Sequence, residues 1–309
     1  MIVVVAPGQG SQTPGFLAPW LELDWVRDRL GEYSDAAGVD LVAAGTEWDA
    51  EAIKDTRVAQ PLIVGASMIA HRALLEAAGR QPDGVAGHSV GEIVALVAAG
   101  VIPPLAGMRL VGVRGRAMAD AAAQQPTGMA AVLGGDETEV LARLATLDLT
   151  PANYNGGGQI VAAGAVNALE ALQAEPPAGA RVIPLQTAGA FHTRYMAPAV
   201  DALRAATAEL SPRPPSLTLW TNRDGSVVTD GAAALDLLVG QVANPVRWDL
   251  CLSGFLAAGI TGLIELAPGG TLTGLAKRAY KGVEPAIPTA AIKTPDDLTA
   301  AVALLKEDA

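Results

Sequence analysis

The sequence has few metal-binding residues, with one cysteine and three histidines among 309 residues. A single cysteine, Cys251, cannot form an intrachain disulfide, and it excludes a zinc site built from cysteines. His71, His88 and His192 are far apart in the chain and lack the spacing of metal ligands. We therefore expect neither a disulfide framework nor a bound metal.

The chain also has few charged residues, and fewer basic residues than acidic ones. Charged residues make up 17% of the chain and hydrophobic residues 50%, which excludes a largely disordered protein. The net charge of −11 argues against nucleic acid and against anionic membrane surfaces as partners. It leaves open an acidic protein partner that docks on a local basic patch.

Long hydrophobic segments are missing. The apolar start of the chain lacks a basic region and is too short for a signal peptide. The longest apolar run, residues 93–102, stops at Pro103, well short of the ~20 residues that span a bilayer. We therefore expect a cytoplasmic protein with no membrane segment.

Short apolar runs alternate with helical patterns along most of the chain. Residues 2–6 are continuously apolar and end in Pro-Gly, which is typical of a strand buried on both faces in a parallel sheet. Further strands are predicted at 85–86, 217–220 and 262–266, and helices at 60–78, 92–100 and 105–123. Such alternation predicts an α/β fold with a mainly parallel sheet.

Residues 126–189 follow a different order, β-α-β-β-α-β, which is that of a ferredoxin-like unit. We interpret them as a small domain inserted into a larger one made of residues 1–125 and 190–309. A cleft is expected between the two domains, and clefts at domain junctions are favoured ligand sites.

The pentapeptide Gly87-His88-Ser89-Val90-Gly91 lies between a predicted strand and a predicted helix. In this context Gly-x-Ser-x-Gly forms a tight turn that exposes the serine hydroxyl at the helix N-terminus. The amides of the turn then face any oxyanion formed on a bound acyl group. The alternative is a chance match in a glycine-rich chain.

A second glycine-rich turn, residues 8–12, follows the first strand. It matches neither a dinucleotide fingerprint nor a phosphate-binding loop with its lysine, so it does not favour a nucleotide site. It could present the N–H of Gln9 to an oxyanion, or it could be only a tight connection.

His192 follows Phe191 at the point where the chain returns from the predicted insert. It is a candidate general base, and the alternative is a polar core residue. The acids between the serine and this histidine offer no convincing third triad member, so a serine–histidine dyad is expected. These acids are Glu92, Asp120, Asp136, Glu137, Glu139, Asp148, Glu170 and Glu175.

Arg114 shares one predicted helix face with Leu110 and Met118. An arginine on an apolar face needs an anionic partner, because an unpaired buried guanidinium is costly. Two roles remain open, a structural ion pair or a receptor that binds a substrate carboxylate through two parallel hydrogen bonds.

Six motifs occur along the chain in this order: Gly8-Gln9-Gly10-Ser11-Gln12, Gln60-Pro61, Gly87-His88-Ser89-Val90-Gly91, Arg114-Gly115-Arg116-Ala117-Met118, Phe191-His192-Thr193 and Gln241-Val242-Ala243-Asn244-Pro245-Val246-Arg247-Trp248. Together they resemble the malonyl-CoA:acyl carrier protein transacylase family. The resemblance implies an α/β-hydrolase-like core with a ferredoxin-like insert. It also implies that Ser89 is the nucleophile and His192 its base.

The resemblance assigns further roles. The amides of Gln9 and Val90 would form the oxyanion hole, and Arg114 would bind the malonyl carboxylate. The main-chain carbonyl near Gln241 would hold the histidine by its Nδ1–H. In related domains a Phe before the histidine accompanies malonyl, so Phe191 indicates malonyl. We expect the acyl pocket to contain both this phenylalanine and Met118.

The activity implied is ping-pong transfer of malonyl from malonyl-CoA to the phosphopantetheine thiol of acyl carrier protein, in fatty acid or polyketide synthesis. We expect no cofactor and a monomeric enzyme. The alternatives are a serine hydrolase or thioesterase, in which water attacks the acyl-serine, and a non-catalytic module that binds carrier protein. Lys277, Arg278 and Lys281 are the candidate docking surface for the acidic carrier, or else a solvated helix face.

Overall fold

The computed structural model describes residues 1–306. Within these residues twelve α-helices and eleven strands occur. The helices are α1 (Val26–Ala37), α2 (Leu41–Thr46), α3 (Thr56–Ala78), α4 (Gly91–Ala98), α5 (Pro104–Ala122), α6 (Glu137–Thr146), α7 (Val166–Ala174), α8 (Ala197–Ala208), α9 (Gly231–Gln241), α10 (Trp248–Ala257), α11 (Thr271–Ala279) and α12 (Leu298–Lys306). The strands are β1 (Ile2–Ala6), β2 (Gly84–Gly87), β3 (Thr127–Gly134), β4 (Thr150–Gly156), β5 (Gln159–Ala165), β6 (Ala180–Leu185), β7 (Thr218–Trp220), β8 (Val227–Val228), β9 (Val246–Arg247), β10 (Gly262–Glu265) and β11 (Thr289–Ala291).

The first sheet has the strand order β11-β10-β1-β2-β7-β8. Its strands pair in parallel except for β8, which is antiparallel to β7. The central strand β1 is buried throughout, and its alternate residues belong to two different hydrophobic clusters. This explains the unbroken apolar run, because both faces of the strand are covered by helices.

The second sheet has the order β6-β3-β5-β4-β9. The elements β3, α6, β4, β5, α7 and β6 occur in the β-α-β-β-α-β order predicted for residues 126–189. They bury a hydrophobic cluster of their own that includes Val132, Leu144, Ile160 and Leu172. The fifth strand, β9, comes from a later part of the chain and pairs in parallel with β4.

Helix α3 begins at Thr56, four residues before the predicted start at Gln60. The side chain of Asp55 caps it by accepting a hydrogen bond from the amide of Arg57, and Pro61 therefore lies inside the helix. The helix is long and apolar enough to cross a membrane, but 83% of its apolar stretch is buried inside the protein. It is therefore a core helix of this fold.

The predicted α/β class is confirmed. Both sheets are mixed, and the first is mainly parallel, as the alternation of strands and helices indicated.

Candidate active site

Ser89 stands in the sharp turn between β2 and α4, with a left-handed backbone angle φ of 54°. The flanking glycines make the turn possible. A Cβ on Gly87 would lie 1.9 Å from the carbonyl carbon of Gly91, and one on Gly91 would lie 2.3 Å from the oxygen of Ala6. The sequence Gly-x-Ser-x-Gly therefore reflects close backbone contacts as well as the strained serine.

The side chains of Ser89 and His192 are hydrogen-bonded, with 2.7 Å between Oγ and Nε2. The other ring nitrogen, Nδ1, lies 2.9 Å from the main-chain oxygen of Gln241. A carbonyl oxygen can only accept, so Nδ1 carries the proton and Nε2 is free to accept the serine proton. The histidine is thus oriented by a neutral acceptor, as the dyad hypothesis requires.

The imidazole of His192 is neutral near pH 7. It is 3% exposed, and burial together with the positive charge of Arg114 lowers its pKa to about 3. The hydrogen bond to the Gln241 carbonyl opposes part of this shift. A neutral imidazole is the form that can take a proton.

Arg114 is fully buried beneath the serine. Its Nη1 donates to Oε1 of Gln60 at 2.8 Å, and its Nη2 donates to Oε1 of Gln241 at 2.8 Å. The same Nη2 lies 3.4 Å from Oγ of Ser89. Burial lowers the pKa of the guanidinium to about 10, so it stays charged near pH 7.

No carboxylate lies within 4.0 Å of the Arg114 nitrogens among residues 1–306, and the Nε–H has no acceptor there. The sequence left two roles open for Arg114, a structural ion pair or a receptor for a substrate carboxylate. Within residues 1–306 the structure shows no ion pair at Arg114. A buried cation held by amide oxygens retains unused N–H donors for an anionic ligand.

Asn222 is a site residue that the sequence reasoning missed. Its Oδ1 accepts from the amide of Ser89 at 2.8 Å, and its Nδ2 donates to the oxygen of Gly87 at 2.7 Å. The side chain thus bridges both sides of the strained turn. Its position just after β7 was an available signal, because sites in parallel sheets gather at the carboxyl ends of the strands.

Glu92 lies in the first turn of α4 and is 6% exposed. It accepts hydrogen bonds from the amide of Asn222 and from Nε2 of Gln241. Burial raises the pKa of its carboxyl to about 7, and the amide and the charge of Arg114 limit the rise. It contacts neither the serine hydroxyl nor the histidine ring through a hydrogen bond, so it is not a third triad member.

The two amides expected at an oxyanion hole come from separate segments of the chain. Gln9 belongs to the loop after β1, and Val90 immediately follows Ser89. Within residues 1–306 neither amide donates to a protein acceptor. Both are therefore available to a ligand, which is the property that an oxyanion hole needs.

A cleft of about 260 Å³ opens beside the serine, between the loop after β1, the second sheet and α11. Gln9, Ser89, Phe191 and His192 line it. Met118, expected in the pocket, is not among the residues that line this cleft; it is buried in a hydrophobic cluster that also contains Phe191, and its sulfur lies 3.5 Å from Nε2 of Gln60.

The candidate docking residues are exposed on and just after helix α11. They are Lys277, Arg278 and Lys281, and within residues 1–306 none of them forms an ion pair. The first turns of α11 carry Leu272 and Leu275, which line the cleft. One helix therefore connects the basic surface to the cleft.

Comparison with known proteins places these features in a family. The acyl transferase domain matches residues 3–303. The malonyl CoA-acyl carrier protein transacylase of Mycobacterium tuberculosis is 53% identical over 301 residues, which cover 96% of this chain and 98% of that protein. The protein of the same name from Escherichia coli K12 is 36% identical over 307 residues, covering 97% and 98%.

Solved structures agree with the sequence relatives. The crystal structure of MCAT from Mycobacterium tuberculosis superposes with a TM-score of 0.93 at 52% identity and covers 98% of this chain and 99% of that one. A malonyl-transacylase in complex with its holo type II PKS acyl-carrier protein superposes with a TM-score of 0.90 at 32% identity. The match covers 98% of this chain and 99% of that one. The chain therefore belongs to the acyl transferase family and, within it, to the malonyl CoA-acyl carrier protein transacylases.

Proposed function

We propose that this protein transfers malonyl from malonyl-CoA to the phosphopantetheine thiol of an acyl carrier protein, for fatty acid or polyketide synthesis. The observation that carries the proposal is the buried Arg114, whose guanidinium lies 3.4 Å from the Ser89 hydroxyl and meets no carboxylate among residues 1–306. Malonyl differs from acetyl by one carboxylate. A matched cation beside the nucleophile compensates the loss of that carboxylate's hydration.

In the first half-reaction, Nε2 of His192 takes the proton of the Ser89 hydroxyl as Oγ attacks the thioester carbonyl. The amides of Gln9 and Val90 donate hydrogen bonds to the oxyanion of the tetrahedral intermediate. The carbon–sulfur bond then breaks, and the histidine returns its proton to the departing CoA thiolate. The product is a malonyl ester of Ser89.

In the second half-reaction, the carrier's phosphopantetheine thiol loses its proton to His192 and attacks the malonyl ester. The same oxyanion site serves again, and the proton passes to Oγ of Ser89 as the ester bond breaks. No metal or cofactor takes part in either step that we propose. Phe191 contributes an apolar wall of the acyl site, and Met118 belongs to the same hydrophobic cluster.

We further propose that residues 1–125 and 190–306 form an α/β-hydrolase-like core and residues 126–189 a ferredoxin-like small domain. Residues 307–309, which the sequence also assigned to the core, lie outside the described residues. The separate hydrophobic cluster beneath the second sheet supports this division. The pairing of β9 with β4 connects the two parts. We propose that the enzyme acts as a cytoplasmic monomer and meets the acidic carrier protein at Lys277, Arg278 and Lys281.

A thioesterase would use the same serine and histidine but would let water attack the acyl ester. The two activities separate in one experiment. Intact-mass spectrometry after incubation with malonyl-CoA should show one malonyl adduct, and peptide mapping should place it on Ser89. The adduct should persist in buffer and disappear when holo carrier protein is added.

The Ser89→Ala variant is the control and should stay unmodified. An adduct on Ser11 or Cys251, or no adduct at all, would refute the assignment of the nucleophile. Rapid loss of the adduct in buffer alone would indicate a hydrolase.

A further inference from the structure

The proposed mechanism leaves the buried carboxylate of Glu92 without a role. Both of its oxygens face donors, one the amide of Asn222 and the other Nε2 of Gln241. Within residues 1–306 no cation lies within ion-pair distance of it. Burying a carboxylate in this way costs free energy, because burial disfavours its charged form. We therefore expect a role for Glu92 in the contacts that it makes.

The side-chain amide of Gln241 connects this carboxylate to the arginine. Its Nε2 donates to Glu92 and, at 3.0 Å, to the main-chain oxygen of Ser89, while its Oε1 accepts from Nη2 of Arg114 at 2.8 Å. An ionised carboxylate can only accept hydrogen bonds, and a guanidinium can only donate them. The amide therefore fits between them in one orientation, with nitrogen toward Glu92 and oxygen toward Arg114.

We propose that Glu92 is a positioning residue that, together with the main-chain oxygen of Ser89 and Oδ1 of Asn222, fixes the orientation of the Gln241 amide and so holds the Arg114 guanidinium next to Ser89. Glu92 would thereby determine selectivity for acyl-CoA substrates with a terminal carboxylate without touching the substrate. This inference rests on the proposed function, in which Arg114 binds that carboxylate.

Removing the negative charge of Glu92 places a hydrogen-bond donor where the carboxylate had only acceptors. In Glu92→Gln, an N–H of the new amide would oppose either the Asn222 amide or Nε2 of Gln241. Relief by turning the Gln241 amide over would aim an N–H at Arg114 and displace the guanidinium. Protonation of the native carboxyl has the same effect, because both of its oxygens face N–H donors.

The effect of pH follows from the groups around Glu92. The pKa of its carboxyl is raised to about 7 by burial. The charged or titratable groups that interact with it are Arg114, which stays protonated, and the thiol of Cys251, whose pKa burial raises well above its usual value. Glu92 is therefore the member of this cluster that titrates near neutrality.

The experiment compares acylation by malonyl-CoA and by acetyl-CoA in the parent and in Glu92→Gln. We expect the malonyl-to-acetyl ratio of kcat/KM to fall at least about tenfold in the variant, with acetyl transfer within about threefold of the parent. In the parent the ratio should decline as pH falls from about 8 to about 6, whereas in Glu92→Gln it should stay flat. The CoA phosphates are common to both substrates and cancel in the ratio.

Glu265→Gln is a matched control. Glu265 is also fully buried, but its carboxylate caps the N-terminus of α11 by accepting from the amides of Gly270, Leu272 and Thr273. Its loss should reduce both activities together. An unchanged ratio in Glu92→Gln, or a parallel loss like that of the control, overturns the proposal. If the variant does not fold, a pH-independent ratio in the parent overturns it instead.

Arg114→Ala separates this proposal from the proposed function. If Arg114→Ala also leaves the ratio unchanged, the carboxylate role of the arginine fails and the proposal for Glu92 fails with it. If Arg114→Ala lowers the ratio and Glu92→Gln does not, only the role of Glu92 is refuted.

Discussion

The Nη2 of Arg114 lies 3.4 Å from Oγ of Ser89, although the two residues belong to different elements of the chain. A buried positive charge thus stands directly beside the Ser89 hydroxyl. The same charge contributes to the low pKa of His192 and limits the rise in the pKa of Glu92. The arginine is therefore linked electrostatically to both His192 and Glu92.

The first prediction concerns Arg114→Ala. Hydrogen bonds to charged groups contribute roughly 1.5–3 kcal/mol each, so we expect malonyl transfer to fall by ~10²–10³-fold. Acetyl transfer should hold steady or improve, because an uncharged acyl group no longer meets an unpaired guanidinium. Arg114→Lys should restore little, since an ammonium lacks the planar fork.

Steady-state kinetics with both acyl-CoA substrates on the same folded variant is the measurement. A parallel loss of both activities would show that Arg114 has a structural role only.

The second prediction concerns the base. His192→Ala should slow acylation of Ser89 by ~10²–10⁴-fold, because the serine loses its proton acceptor. Asp120→Asn is the control, since this exposed carboxylate pairs with Arg57 and should affect the rate little. Stopped-flow release of CoA reports the acylation step. If an acid between residues 120 and 175 proves as important as the histidine, a triad replaces the dyad.

The third prediction concerns stability against pH. The pKa of His192 is lowered to about 3 in the folded protein, so the unfolded chain binds a proton here that the folded chain does not. This contribution to stability is present above the unfolded pKa of about 6.5 and is lost as pH falls toward the folded value. From this group alone, the unfolding free energy should fall by about 2 kcal/mol when the pH is lowered from 7 to 5.

Denaturant titrations of the parent and His192→Asn at these two pH values test the third prediction. The variant should lose less unfolding free energy on acidification. An equal loss in both proteins would mean that the histidine is already protonated in the folded state.

The fourth prediction concerns Asn222→Ala. The variant removes both hydrogen bonds that bridge the strained serine turn, so the unfolding free energy should fall by ~1–3 kcal/mol. Malonyl and acetyl transfer should decline together, because the nucleophile itself loses its position. A loss confined to malonyl would contradict this role and would place Asn222 with the arginine instead.

The fifth prediction concerns docking of the carrier protein. Lys277→Glu, and the same reversal at Arg278 or Lys281, should raise the apparent KM for carrier protein, more strongly at low salt, and leave acylation by malonyl-CoA unchanged. Arg109→Glu, at an exposed arginine on α5, is the charge-matched control. Equal effects on both half-reactions, or equal effects of the control, would remove the docking role.

Local sequence was sufficient to predict the serine turn. A tight connection between a strand and a helix requires glycine where backbone atoms approach within van der Waals distance, so Gly87 and Gly91 mark it without reference to the rest of the chain. The unbroken apolar run of β1 likewise predicted a strand covered on both faces. The family could also be inferred from the order of its motifs.

Contacts between distant segments were not predictable in this way. The sequence left two roles open for Arg114, and it did not connect Asn222 or Glu92 to the site. Glu92 meets the main-chain amide of Asn222 and the side chain of Gln241, which are 130 and 149 residues away in the chain, where β7 and α9 end beside the serine turn. The predicted start of α3 at Gln60 was four residues late, because Asp55 caps the helix at Thr56.

The sequence by itself therefore determined the serine turn, the α/β class and the family, because strand burial and turn geometry depend on neighbouring residues. Only the tertiary structure decided which donors and acceptors surround the guanidinium, which carbonyl orients the histidine, and which carboxylate lies behind both. Hydrogen-bond partners in a buried site are selected by distance and by the need of each polar group for a complement. These distances are set only when the chain has folded, so the partners cannot be read from neighbouring residues.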